Sequence, residues 1–252
     1  MAKKEPPKIV KLSTVPIAEF ISTGVDELDK IIMFPRGRIS LLYGSSGTGK
    51  TDLMLKCAIR LSQEGGRVLY IDVENRLNPK RLEALGGDLT KIDYSRVYVL
   101  QEVAEIIRGN IGKYDLMVLD SIAQMVPAEE KSAETGEHLV GLRPRIHGQW
   151  LRQVLGPLAE TKCALVLINQ MRKNIGGYGD PFYLPGGEGF KFNSTISVQL
   201  ISNNSSDKIL KGSELVGRKV HAKVMKSNLG EVREDGNRFA FLHQEAHFKL
   251  MF

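Results

Sequence analysis

Four continuous apolar runs punctuate the chain: Arg38 to Tyr43 (RISLLY), Arg67 to Val73 (RVLYIDV), Leu116 to Asp120 (LMVLD) and Ala164 to Asn169 (ALVLIN). Each has the length of a strand. None alternates with polar residues, so each is expected to be covered on both faces, as in a parallel sheet. Helical periods lie between them, over 50–63, 79–85, 103–111 and 145–159. Gly65-Gly66 closes the first of these helices, and Pro79 stands where the second begins. A short strand is expected at Val97 to Leu100. Upstream, a helix over 25–32 puts Val25, Leu28 and Ile32 on one face, with Ser22 or Thr23 as its cap. Strand and helix therefore alternate, which is the pattern of an α/β layer fold.

The texture changes after Gln170. Residues 171–193 hold six glycines and two prolines with no period, and so long a loop in a compact domain is usually functional. Strand-like segments follow at Ser194 to Ile201, Arg218 to Met225 and Arg238 to Leu242, with turns between them and no helices. They are expected to add as antiparallel strands at one edge of the sheet. Near the start, the Lys- and Pro-rich stretch 1–14 contains a short apolar segment, KIVKL, with Ile9 and Val10.

Composition narrows the class. A chain of 252 residues, 42% hydrophobic and 25% charged, can bury one large core. The net charge of +6 permits nucleic-acid binding without demonstrating it, and none of the segments 1–120, 121–193 and 194–252 is strongly basic. Cys57 and Cys163 have no CxxC spacing, which argues against a disulfide scaffold or a zinc ribbon and for a reducing compartment. The opening MAKKEPPKIV lacks the apolar stretch of a secretory signal, and no apolar run is long enough to span a bilayer. A cytoplasmic protein is expected.

The strongest local signal is Gly44-Ser45-Ser46-Gly47-Thr48-Gly49-Lys50-Thr51, which fits G-x-x-x-x-G-K-[ST] at every position. A buried strand precedes it and an amphipathic helix follows. The glycines let successive N–H groups turn inward toward phosphate oxygens, and the helix N-terminus adds its positive end. Lys50 would reach the β- and γ-phosphates and the Thr51 hydroxyl would ligate Mg²⁺, so ATP with Mg²⁺ is the expected cofactor pair. Asp120 ends its strand at the carboxyl edge of the sheet, where it can serve as the second metal ligand. Glu74 leaves the same edge and is the candidate general base, with Asp72 as competitor. Gln170 ends the next strand and could bond the γ-phosphate and report it to the loop beyond; a polar strand end without a role is the other reading.

With these residues in place, the chain resembles the RecA-family recombinases over about residues 20–242. FISTGVDELD resembles the segment before the phosphate loop. YIDVENRLNP resembles the segment of the catalytic glutamate, and LMVLDSIAQMVP the metal-carboxylate strand and its exit. INQMRKNIG with GGEGFKF resembles the second DNA-binding loop, and VGRKVHAKVMKSNLG the late strand that meets a neighbour's nucleotide. The resemblance implies an α/β P-loop NTPase of RecA type, with a mostly parallel central sheet flanked by helices and antiparallel strands at the C-terminal edge. It also implies a helical filament on single-stranded DNA, pairing with double-stranded DNA, and ATP bound between subunits.

Residue by residue, the resemblance implies that Gln170 couples nucleotide to the loop at 171–193. It likewise implies that Phe192, matching a family aromatic, packs across the subunit interface and that Lys226, matching a family lysine, reaches the neighbour's γ-phosphate. Bacterial members carry a second lysine where this chain has Asn228, and an aromatic on adenine where it has Arg81. Arg143, Arg145 and Arg152 lie in a stretch without acids that also contains His147 and Trp150. Arg145 and Arg152, seven apart, share a helix face and match residues that hold DNA phosphates. Arg172 and Lys173 begin the second loop, Ile175 matches an apolar wedge between bases, and Gly186 and Gly187 match glycines that bind phosphate through N–H groups. Ile9 and Val10 would pair with a neighbouring protomer's sheet.

The expected organisation is a tail or polymerisation strand at 1–20, an ATPase core at 21–242 and a short tail at 243–252. His243 and His247 stand four apart with no third metal ligand in view, and read as surface residues. A ring helicase or a mediator paralogue without strand exchange is the alternative to a recombinase.

Overall fold

The computed structural model describes residues 11, 19–132, 141–174, 182–202, 205–229, 231–232 and 238–251. A small antiparallel pair, β1 (Phe20–Ile21) and β2 (Phe34–Pro35), brackets the single-turn helix α1 (Asp26–Asp29). The chain then runs through β3 (Ile39–Gly44), α2 (Lys50–Gln63), β4 (Val68–Asp72), α3 (Pro79–Ala84), β5 (Ile92–Ser95), α4 (Leu100–Asn110) and β6 (Leu116–Asp120). Next come α5 (Ala128–Ser132), α6 (Leu142–Ala159), β7 (Ala164–Gln170), β8 (Arg172–Lys173), β9 (Phe182–Tyr183), α7 (Gly189–Asn193) and β10 (Ile196–Ile201). The last part holds β11 (Lys208–Lys211), β12 (Glu214–Ser227), β13 (Glu231–Val232), β14 (Arg238–Phe239) and β15 (Glu245–Met251).

Nine strands form the central sheet, in the order β11-β12-β10-β3-β7-β6-β4-β5, with β15 also paired to β12. From β10 to β5 every pairing is parallel; β11, β12 and β15 add antiparallel. The four continuous apolar runs are indeed neighbours inside this sheet. One face packs on α2 and α3 through residues such as Leu53, Met54, Ala58, Leu82, Val118 and Val166. The other packs on α4, α6 and α7 through Val103, Ile107, Leu151, Val154 and Phe190. Full burial of Leu151, Val154 and Leu158 contributes about 1.5–3 kcal/mol each and fixes which face of α6 points outward.

Several local expectations change. The strand expected at Val97–Leu100 is replaced by β5 at Ile92–Ser95; Val99 makes only an isolated bridge to Val126 before α4 starts. The helix expected over 25–32 is one turn, Asp26–Asp29, and its N-cap is Val25 rather than Ser22 or Thr23; those two residues instead donate to Asp29, Thr23 through its backbone N–H and both through their hydroxyls. β10 joins β3 in parallel rather than as an antiparallel addition. Residues 243–251 are not a tail: Glu245–Met251 is a full strand along β12, with Ala246, Phe248 and Leu250 in the core. Of the strand expected over 238–242, Arg238–Phe239 is strand, paired antiparallel with β13 rather than with the central sheet. Ile9, Val10 and Ile175 lie outside the described residues. No helix among the described residues is long and apolar enough to cross a membrane.

Candidate functional site

Strands β3, β4, β6 and β7 end side by side, and their carboxyl ends deliver the chemistry predicted from sequence to one cavity of about 250 Å³. Its lining includes Lys50, Thr51, Glu74, Arg76, Arg81, Asp120, Ser121 and Gln170. Register accounts for the convergence: Asp72 is level with Asp120, and Gly44 with Gln170.

The phosphate loop leaves β3 at Gly44 and enters α2 at Lys50. Gly47 and Gly49 adopt positive φ, 74° and 90°, where a side chain would be strained. A Cβ on Gly49 would also come within 2.7 Å of Leu250 Cδ2, so the last strand sits directly beneath the loop. Arg218 of β12 donates to Gly47 O from the same side. Ser45, Ser46 and Gly47 are exposed at the mouth, whereas Thr48, Gly49 and Lys50 are buried. The Lys50 ammonium donates to Gly44 O at 3.0 Å and Ser45 O at 2.7 Å. Burial pulls its pKa down to about 8, against the attraction of Asp120 and Glu74.

Asp120 and Thr51 form an oxygen pair suited to a hard cation. The Thr51 hydroxyl donates to Asp120 Oδ2 at 2.7 Å, and the buried Tyr70 hydroxyl donates to the same oxygen at 2.9 Å. Burial pushes Asp120 up to about 6; the bonds from Thr51 and Tyr70 oppose this, and Glu74 and Asp72 reinforce it. Such a carboxylate gains from a cation beside it. The residues therefore fit Mg²⁺, which takes oxygen ligands from one or two side chains together with phosphates.

Glu74 and Asp72 separate cleanly. Asp72 is buried and accepts from the backbone N–H groups of Arg76 and Leu77, both at 2.8 Å, which shapes the turn after β4. Glu74 faces the cavity, with Oε1 accepting from Ser121 Oγ at 2.7 Å and Oε2 paired with Arg76 at 2.9 Å. Gln170 lines the same cavity one residue before Met171, whose N–H bonds Gly44 O at 3.0 Å. Arg81 reaches the phosphate-loop helix, pairing with Asp52 at 2.8 Å. Tyr70, Arg76 and Ser121 escaped sequence reasoning: a tyrosine inside an apolar run reads as core, and the other two carry no motif.

The basic residues divide into two groups. Arg145 and Arg152 point outward on α6, and neither forms an ion pair among the described residues. The small Gly148 leaves room for the Arg152 guanidinium against the helix. Arg143 instead binds Glu130 through Nε and Nη2 at 2.6–3.1 Å, so the acid-free stretch of sequence is not acid-free in space. His147 and Trp150 are core residues: the indole N–H donates to His147 Nδ1 at 3.2 Å, Phe190 packs on the imidazole, and burial lowers the His147 pKa to about 3. Gly186 and Gly187, both with positive φ, pack on His147 and Pro144, which brings them to the N-terminal end of α6. Arg172 and Lys173 are exposed and pair antiparallel with Tyr183 and Phe182.

Phe192 is 82% exposed near the end of α7. Lys226 sits beside it, donating to Lys191 O at 2.8 Å and Phe192 O at 2.7 Å, with its ammonium 5.9 Å from the ring centroid. Lys226 is not among the described residues lining the phosphate cavity of its own chain. Asn228 is exposed two residues on.

Residues 7–243 match the family described as the RecA N-terminal domain. Among curated relatives, Protein RecA of Lactobacillus johnsonii is 35% identical over 222 residues, covering 87% of this chain and 60% of the relative. Protein RecA of Lactobacillus delbrueckii subsp. bulgaricus is also 35% identical, covering 65% of the relative. Protein RecA of Clostridium acetobutylicum is 32% identical over 238 residues, 92% of this chain and 64% of the relative. The chain thus spans about three fifths of the length of these relatives. With one domain profile running through both the phosphate cavity and the strands beyond it, the chain belongs to the RecA family.

Proposed function

We propose that the protein is a DNA-dependent ATPase that assembles on single-stranded DNA as a helical filament and catalyses homologous pairing and strand exchange. The observation that carries this reading is the convergence of Lys50, Thr51, Asp120, Glu74 and Gln170 on one cavity at the carboxyl edge of the sheet. ATP would lie with its phosphates on the N–H groups of 44–51 and the α2 terminus, its charge met by Lys50. Thr51 and Asp120 would hold Mg²⁺, which neutralises charge on the phosphates. Glu74 would orient the attacking water and accept its proton, Ser121 and Arg76 keeping the carboxylate aimed. Gln170 would sense the γ-phosphate at the root of the loop that follows β7.

Lys226, lying outside its own chain's cavity beside the exposed Phe192, suits a role across a subunit boundary, where it would stabilise charge on a neighbour's phosphate. Arg145, Arg152, Arg172, Lys173 and the Gly186-Gly187 turn would bind DNA phosphates. A cytoplasmic location belongs to the same reading.

The test is electron microscopy of the protein with single-stranded DNA and a slowly hydrolysed ATP analogue, together with a D-loop assay. Open helical filaments and D-loops are expected; closed hexamers would sink the proposal. Asn228 favours one second reading, a mediator paralogue that binds DNA and nucleotide without exchanging strands. Filaments without D-loops would support it.

A further inference from the structure

On the outer face of the antiparallel strands, away from the phosphate cavity, two histidines and a glutamate meet. Period-2 alternation drives this: Ala246, Phe248 and Leu250 turn into the core, so Glu245, His247 and Lys249 turn out. β12 runs antiparallel beside β15, with His221 directly opposite His247 and Lys223 opposite Glu245. The two imidazoles stack with centroids 4.1 Å apart and planes within 10°. His221 Nε2 lies 2.8 Å from Glu245 Oε2. One ligating atom from each of the three residues lies within 4.8 Å of the others. The third ligand that sequence spacing did not offer His247 thus comes from a neighbouring strand, and His243 is not part of the set.

We propose that His221, Glu245 and His247 form a binding site for a borderline divalent transition metal, Zn²⁺ being the reference ion. Two imidazoles and one carboxylate match the ligand preferences of Zn²⁺, Co²⁺ and Ni²⁺, whereas Mg²⁺ requires an oxygen shell. Three protein ligands leave a coordination position for water. That position opens toward a cavity of about 500 Å³ lined by both histidines. The carboxylate is already oriented for ligation, since Lys223 Nζ binds Oε1 at 2.7 Å and leaves Oε2 turned to the histidines. An outer partner of this kind fixes the orientation of a ligating group. Lys219 and Lys249 also border the cavity, but Glu27 and Asp207 border it with them, so the surroundings do not repel a cation.

Metal binding would pin β15 to β12, the strand whose Leu250 underlies Gly49 and the strand whose Arg218 holds Gly47. The test uses the untagged, chelator-treated chain without nucleotide or Mg²⁺. It is titrated with ZnCl₂ by calorimetry and with CoCl₂ by visible absorption. One equivalent of Zn²⁺ should bind, Co²⁺ should develop a visible ligand-field band, and the melting temperature should rise with added Zn²⁺. His221→Gln and His247→Gln should each weaken binding by at least about tenfold. His243→Gln should bind as the parent chain does, and circular dichroism should report an unchanged fold for all three. Zn²⁺ affinity unaltered in His247→Gln would overturn the site. So would binding that survives both histidine variants and vanishes in Asp120→Asn, since the ion would then belong to the phosphate cavity.

Discussion

Tyr70 and Asp120 meet beneath the phosphate cavity, the phenol donating to carboxylate Oδ2 at 2.9 Å from a fully buried position. Thr51 donates to the same oxygen, yet burial still pushes Asp120 up to about 6. A carboxyl whose pKa is higher in the folded than in the unfolded chain favours folding fully only below its unfolded value, about 3.9. That contribution is lost as pH rises through 6. At pH 7 the buried charge therefore costs the ligand-free chain roughly 2–3 kcal/mol.

Asp120→Asn should remove this cost while still accepting from Tyr70. At pH 7 the variant is expected to melt above the parent chain, and the gap should close as pH falls from 7 toward 4. Thermal melts of both chains across that range check it. ATP turnover should be lost at every pH, since the amide cannot serve as an anionic metal ligand. Stability and function would thus oppose each other at one residue.

Two further substitutions separate binding from chemistry. Lys50→Ala should weaken nucleotide binding and cut turnover by roughly 10²–10³ or more, because the ammonium meets phosphate charge in the ground state and more strongly in the transition state. Glu74→Gln should keep nucleotide binding within about twofold and lose turnover by roughly 10²–10⁴. Binding of a fluorescent ATP analogue, measured beside phosphate release, reads both. Normal turnover in Glu74→Gln would move the base elsewhere in the cavity.

The motif residues were legible because their information is local. Lys50 and Thr51 are fixed by the loop and the helix start, and Asp120 by the end of an apolar strand. Tyr70 was not legible. Its role depends on β4 lying beside β6 with Asp72 level with Asp120, and strand order is not written in either segment. The acids Glu129 and Glu130 stand in the sequence just before the arginines and argue against a uniformly basic surface, but which arginine they pair is set by how α5 and α6 pack, and no local pattern records that Arg143 takes Glu130. β15 is a different case. Its alternation, EAHFKLM, was present in the sequence, but without its partner β12 in view it read as an apolar tail. The parallel placement of β10 had no local signature, because its apolar run suits either pairing.

Lys226 and Asn228 allow a test of activation between subunits. Lys226 is held at the exposed Phe192, while the position two residues on offers a neutral amide. Asn228→Lys should raise DNA-stimulated ATP turnover by up to about tenfold. Lys226→Ala should abolish the stimulation while each protomer still binds nucleotide. Steady-state phosphate release with and without single-stranded DNA measures both. An Asn228→Lys variant no faster than the parent would assign the cross-subunit charge to Lys226 alone.

Arg152 and Arg143 should differ in their contribution to DNA binding although both belong to α6. Arg152 is exposed and Gly148 leaves its guanidinium room, so a phosphate contact there costs no existing ion pair among the described residues. Arg143 must first release Glu130, to which it is bound through two nitrogens. Each phosphate contact adds about one unit to the slope of log affinity against log salt. Arg152→Ala is therefore expected to lower that slope by about one, and Arg143→Ala to leave it nearly unchanged. Glu130→Ala should do the opposite, freeing Arg143 and steepening the slope. Anisotropy titrations of labelled single-stranded DNA at several salt concentrations measure all three. A slope unchanged in Arg152→Ala would remove α6 from the DNA-binding face.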